Sequence, residues 1–74
     1  MQNKLSQFER RMEILSILRR RRIVKRSVLA QEFSVSNVTI SDDLNALGCY
    51  VPIRTKPGPY GGIYLSQHYL YCIL

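Results

Sequence analysis

The chain has no tryptophan, one histidine and two cysteines, and each scarcity closes a line of explanation. One His with Cys49 and Cys72 cannot complete a zinc set of four N or S ligands, and the cysteines form no CxxC pair. Reduced, non-ligand thiols are expected, since a disulfide would be out of place in a cytoplasmic chain. No metal and no cofactor are implied. Acids are few, five Asp and Glu against eleven Lys and Arg. No Ser-His-Asp, Cys-His or paired-carboxylate arrangement is present that 74 residues could bury in a cleft, so an enzyme is not expected. His68, in an apolar tail, reads as a packing residue. The Gly58-Pro59-Tyr60-Gly61-Gly62 stretch opens no helix, which a phosphate-cradling loop requires. No apolar run approaches the roughly 20 residues of a membrane span. Charges interrupt the N-terminal region where a signal-peptide core would lie. A soluble, cytoplasmic protein without a membrane partner is expected.

What the chain does have is positive charge, a formal +6 with pI near 9.8. Such a domain attracts polyanions, nucleic acid first and anionic membrane second. All of its Lys and Arg except Arg54 and Lys56 fall in the first 26 residues, and Arg19 to Arg22 form an unbroken run. The run reads either as a solvated helix end, where cations suit the macrodipole, or as a phosphate contact. Hydrophobic content of 46% is ordinary for a globular chain, and the length is that of one small domain.

The stretch from Val28 to Gly48 reads as two short helices joined by a tight turn. Leu29 and Phe33, four apart, share one side of the first. Phe33 to Ser36 is the turn. Ser36 is a good N-cap for the second, with Val35 and Ile40 forming a hydrophobic staple. Ile40, Leu44 and Leu47 make one apolar stripe, and Gly48 is expected to supply a left-handed C′ position. This is a helix-turn-helix pattern, whose second helix can enter the DNA major groove.

The flanks extend the pattern. Ser6 with Glu9 is a capping box that starts an earlier helix, with Phe8, Met12, Leu15 and Leu18 as its apolar stripe and Ile14 alongside. Ile17 falls nearly opposite, to be exposed or used in a subunit contact. The helix should fray near Arg21. Ile23 and Val24 make sense only as an edge added to a hairpin elsewhere, and Lys25 and Arg26 then open the second helix. After Gly48 the period changes: Val51, Ile53 and Thr55 point one way and Pro52, Arg54 and Lys56 the other, a half-buried strand with a basic outer face. Lys56 to Gly62 is a loop, and Ile63 and Leu65 return on one side. The two strands make a hairpin, a basic wing after the helix-turn-helix. The fold class is thus α+β, mainly α: a three-helix winged helix-turn-helix with a C-terminal two-stranded wing, spanning residues 1–65. Residues 66–74 are an apolar tail, which can pack on the first helix, form a dimer seam or be the stub of a longer chain; the lack of polar residues at its end favours the last two.

From Arg11 to Leu65 the sequence resembles the winged-helix domains of DeoR-like and biotin-repressor-like (helix-turn-helix type 11) bacterial transcription regulators. Arg11, Ile14, Leu15 and Leu18 match the family's leading Arg and Ile-Leu-x-x-Leu helix, and Leu29-Ala30 its Leu-Ala element. Val35, Ser36, Thr39, Ile40, Asp43, Leu44 and Leu47 match its turn and recognition helix. Pro52, Ile53, Gly61 and Gly62 match its wing. The resemblance implies operator binding, commonly as a dimer. It departs from the family where Arg or Lys usually stands, at Ser41 and Asp42, so the recognition helix is acidic. The effector domain of larger relatives has no room here, and no small-molecule ligand is evident.

With Ile40, Leu44 and Leu47 inward, helical geometry turns Val38, Ser41, Asp42 and Asn45 outward, with Asn37 near the helix start; these are the candidate base readers. Asn37 or Asn45 can read adenine, Val38 can touch a thymine methyl, and Asp42 can accept from cytosine. The alternative for Asp42 is solvent exposure or an internal salt bridge. Asp43 is expected to pair structurally with a first-helix arginine such as Arg11. Backbone contacts are expected from Ser36 and Thr39 at the helix start, from Lys25 and Arg26, and from Arg54, Lys56 and Tyr60 on the wing. The expected function is sequence-specific double-stranded DNA binding by a transcription regulator acting as a homodimer, with a repressor the first expectation and the sign of regulation left open by the sequence. The alternative is a protein-interaction module that uses the acidic third helix. RNA binding is weaker, because the aromatics, five Tyr and two Phe, are not spaced as a stacking platform on a sheet.

Overall fold

A computed structural model describes residues 5–66, and the apolar tail beyond Ser66 lies outside the described residues. The chain order is α1 (Gln7–Arg20), α2 (Arg26–Phe33), α3 (Asn37–Leu47), β1 (Ile53–Lys56) and β2 (Gly62–Leu65). The strands form one antiparallel hairpin with Ile53 opposite Leu65 and Lys56 opposite Gly62. Three helices followed by a hairpin make a small, mainly helical α+β fold of the winged-helix kind, as the periodicity predicts.

Local signals act where they were read. Ser6 caps α1 with both halves of the capping box formed. Ser36 caps α3 by accepting from the Thr39 N–H at 3.1 Å. Between α2 and α3 the turn passes through Ser34 in the left-handed region (φ 56°). Ile23-Val24 does add an edge to the hairpin: Val24 and Ile63 exchange backbone hydrogen bonds of 2.9 and 2.7 Å.

Three expectations fail. Gly48 is right-handed (φ −62°, ψ −17°), not left-handed. The chain keeps turning instead, with the Tyr50 and Val51 N–H groups both donating to the Leu47 carbonyl at 2.9 Å. Val51 therefore belongs to that turn, and the strand starts at Ile53 rather than Val51. Of the inward set, Val51 is buried and Ile53 half-buried, but Thr55, further out on the hairpin, is exposed.

The third concerns α1. Its buried residues are Ile14, Ile17 and Leu18, whereas Phe8 and Met12 are 69% and 41% exposed. Ile17 is core, neither surface nor contact. The reason is polar. Asp43 on α3 is fully buried, and Arg10 and Arg11, one turn before Ile14, face inward to meet it. A reading that reserves the inner face for apolar side chains rotates the helix away from them.

The core joins these three α1 residues to Val24, Leu29, Ile40, Leu44, Leu47, Val51, Ile63 and Leu65. Beside it the hairpin loop closes tightly. A Cβ at Gly61 would stand 1.9 Å from the Lys56 carbonyl oxygen and 2.7 Å from that of Pro57. At Gly62 it would stand 2.8 Å from the Val24 carbonyl oxygen. Gly61→Ala is expected to cost about 2–3 kcal/mol, a strain effect at the upper end of ordinary substitutions. Urea denaturation checks this; an unchanged midpoint would show that the loop can open without loss.

Candidate nucleic-acid interface

Helix α3 presents its expected outer face. Ile40, Asp43, Leu44 and Leu47 are buried, which fixes the rotation of the helix about its axis. Asn37, Asp42 and Asn45 are exposed, Ser41 is half-buried, and Val38 is 70% exposed. A valine at that exposure contributes nothing to the core, so its methyls are available to a partner. Of the two aspartates, Asp43 takes the intramolecular role. Arg10 donates to it from Nε, and from Nη2 to Oδ1 at 3.0 Å; Arg11 donates from Nε to Oδ1 at 2.9 Å. Burial alone would push the Asp43 carboxyl up, but the two guanidinium groups outweigh it and hold the carboxyl below its ordinary value. The hydrogen bond to Asp43 raises Arg10 in turn, against the opposing effect of burial. Asp42 enters none of the ion pairs among the described residues, which engage Asp43 and Glu32.

The backbone-contact candidates gather from three parts of the chain. Lys25 and Arg26, at the start of α2, line one groove with Lys56 and the glycines of the hairpin loop. Lys25 also ties the loop down, its Nζ donating to the Pro59 carbonyl at 2.9 Å. One residue further on, Ser27 lines a second groove with Ser36 and Asn37. The first turn of α2 thus stands between the wing on one side and the entry to α3 on the other. On the far side of the hairpin, Arg54, Lys56 and Tyr60 line a third groove, with Tyr60 89% exposed. Ser36 and Thr39 are partly occupied by each other, their hydroxyls 3.1 Å apart, while Ser36 keeps its cap.

The arginine run divides. Arg21 pairs with Glu32 at 2.9 Å, both groups substantially exposed, so its charge is partly engaged within the chain. Arg19 and Arg20 sit in the last turn of α1, where cations suit the helix end. Arg22 lines the third groove with Arg54 and Lys56. Arg22 was not separable from its neighbours in the sequence. Tyr64, in the same groove, stands between the core residues Ile63 and Leu65 in the sequence. Its role depends on hairpin register, which the spacing of turn residues leaves open. Cys49 is an exposed free thiol. Among the described residues no group of three or more His, Cys, Asp or Glu is placed to hold a metal, and no helix is long and apolar enough to cross a membrane.

The arrangement defines a class: a winged-helix-like domain whose third helix and hairpin flank a common strip at the start of α2. Comparison with known proteins adds no relative, since no family model, curated protein or solved structure matches the chain.

Proposed function

We propose that the protein binds double-stranded DNA in a sequence-dependent way, as a bacterial-type transcription regulator. In this reading α3 enters the major groove and the wing follows the backbone or the adjacent minor groove. The observation that carries the reading is the first turn of α2, where Lys25 and Arg26 line one groove with the wing's Lys56 and Ser27 lines another with Asn37. Cations on that strip can hold phosphates between an uncharged helix entry and a basic hairpin. An acidic reading helix needs such neighbours, because Asp42 is repelled by phosphate and gains only by accepting from a cytosine N4 amino group. The resemblance to DeoR-like and biotin-repressor-like domains supports the same assignment, and with it a repressor that works as a dimer in the cytoplasm on two half-sites one helical turn apart.

Selection of bound sites from a random duplex pool tests it. A preferred site is expected, with a cytosine preference that Asp42→Arg flattens while raising affinity for unselected DNA. Failure to retain any duplex at low salt would favour the alternative, a protein-interaction module in which Asp42 and Val38 meet a basic partner.

A further inference from the structure

The hairpin has a second face whose chemistry differs from the one turned toward α2. Arg54 and Lys56, two apart on β1, lie on one side of the strand, and the register sets Tyr64 directly opposite Arg54. With Arg22 from the segment after α1 and Tyr60 from the loop, they line an open groove of about 740 Å3. Three cations and two aromatic rings share it, and no Asp or Glu is among the described residues of its walls.

We propose that this groove binds single-stranded nucleic acid, with phosphates on Arg22, Arg54 and Lys56 and unpaired bases stacked on Tyr60 and Tyr64. Phosphate contact alone would use the cations and leave the rings idle. Tyr60 is 89% exposed, so its ring is not held in place by the core and its face is open. Tyr64 is half-buried, anchored by the ribbon with part of its surface left to the groove. A positively charged groove with aromatic faces along it is the arrangement that holds a single strand with little sequence preference. Bases paired within a duplex do not expose their faces to such rings. The site therefore stands apart from the major-groove reading by α3, although Arg54 and Lys56 serve both. An acidic peptide, the other polyanion of comparable width, would engage the cations only.

The test measures binding of the full chain to oligo(dT) and oligo(rU) about 10 nucleotides long, followed by quenching of tyrosine fluorescence, with polyglutamate as competitor and a duplex in parallel. Binding with quenching is expected, and Tyr60→Ala should weaken it about 5- to 10-fold or more while Tyr60→Phe retains it. Tyr60→Ala should leave the circular dichroism spectrum unchanged, since the side chain is exposed and outside the core. A preference for one oligonucleotide would identify DNA or RNA as the ligand. Absence of binding, equal loss to polyglutamate at matched charge, or no effect of Tyr60→Ala would overturn the proposal. Duplex binding without single-strand binding overturns it and spares the regulator reading; the opposite result does the reverse.

Discussion

Asp43→Ala is expected to leave the domain largely unfolded at room temperature. Removing one partner of a buried ion pair costs about 3–5 kcal/mol, because the remaining charges have lost their counter-charge. Here two guanidinium groups are left, with side chains only 13% and 25% exposed. A single core of this size supplies about 3–5 kcal/mol in all, so the loss is comparable with the whole stability. Asp43→Asn keeps the shape and part of the hydrogen bonding and should lie between the two. The arginines are unequal. Arg10 makes a two-bonded fork and Arg11 a single bond, so Arg10→Ala should cost more than Arg11→Ala. The same carboxyl also sets a pH dependence. Its folded-state pKa is held below the unfolded value of about 3.9, so its stabilisation is complete above that value and disappears as pH falls through the folded pKa. Thermal melts of the native chain should therefore lose stability below about pH 4, and Asp43→Asn should lack that part of the loss. An Asp43→Ala chain that melts within a few degrees of the native one would mean that Arg10 and Arg11 swing out to water.

Duplex binding should be steeply salt-dependent. In the proposed complex Lys25, Arg26, Arg54 and Lys56 neutralise about four phosphates, which gives a slope of log K against log salt of about −3.6. That corresponds to roughly a 150-fold loss between about 50 and 200 mM salt. Arg54→Ala with Lys56→Ala should flatten the slope by about 2, lower affinity for all sequences about equally, and leave the preferred site unchanged. A double variant with the native slope would move the wing off the DNA; one with an altered site preference would make Arg54 or Lys56 a base reader instead of a backbone contact.

How far the sequence could be read depended on the range of each interaction. Caps at Ser6 and Ser36 involve atoms within a few residues, and both were legible. So was the inward set Ile40, Leu44 and Leu47, because three apolar residues at helical spacing leave one face to bury. Ile23-Val24 was placed correctly by elimination, being too short to stand as a strand alone. Gly48 misled because a glycine at a helix end permits a left-handed residue without requiring one, and the Leu47 carbonyl found its partners in Tyr50 and Val51. Helix α1 was rotated wrongly because its inner face is decided 33 residues away, by a carboxylate that draws arginines into the interior. Asp43's need for a first-helix arginine was visible; that Arg10 would join Arg11, and so bring Ile17 inward and turn Phe8 outward, was not. The meeting of Arg22 with Tyr64 is likewise a product of register and closure.

The Arg10–Asp43–Arg11 clasp acts as a rotational stop on α3, the reading helix of the proposed function. Because Asp43 can face only the arginines, its neighbours Ser41, Asp42 and Asn45 have no freedom to exchange places by a roll of the rod. If α3 reads a duplex as proposed, the letters it recognises can be rewritten by changing those side chains alone, with the scaffold untouched. Any drift at position 43 would instead erase the frame in which every letter is read.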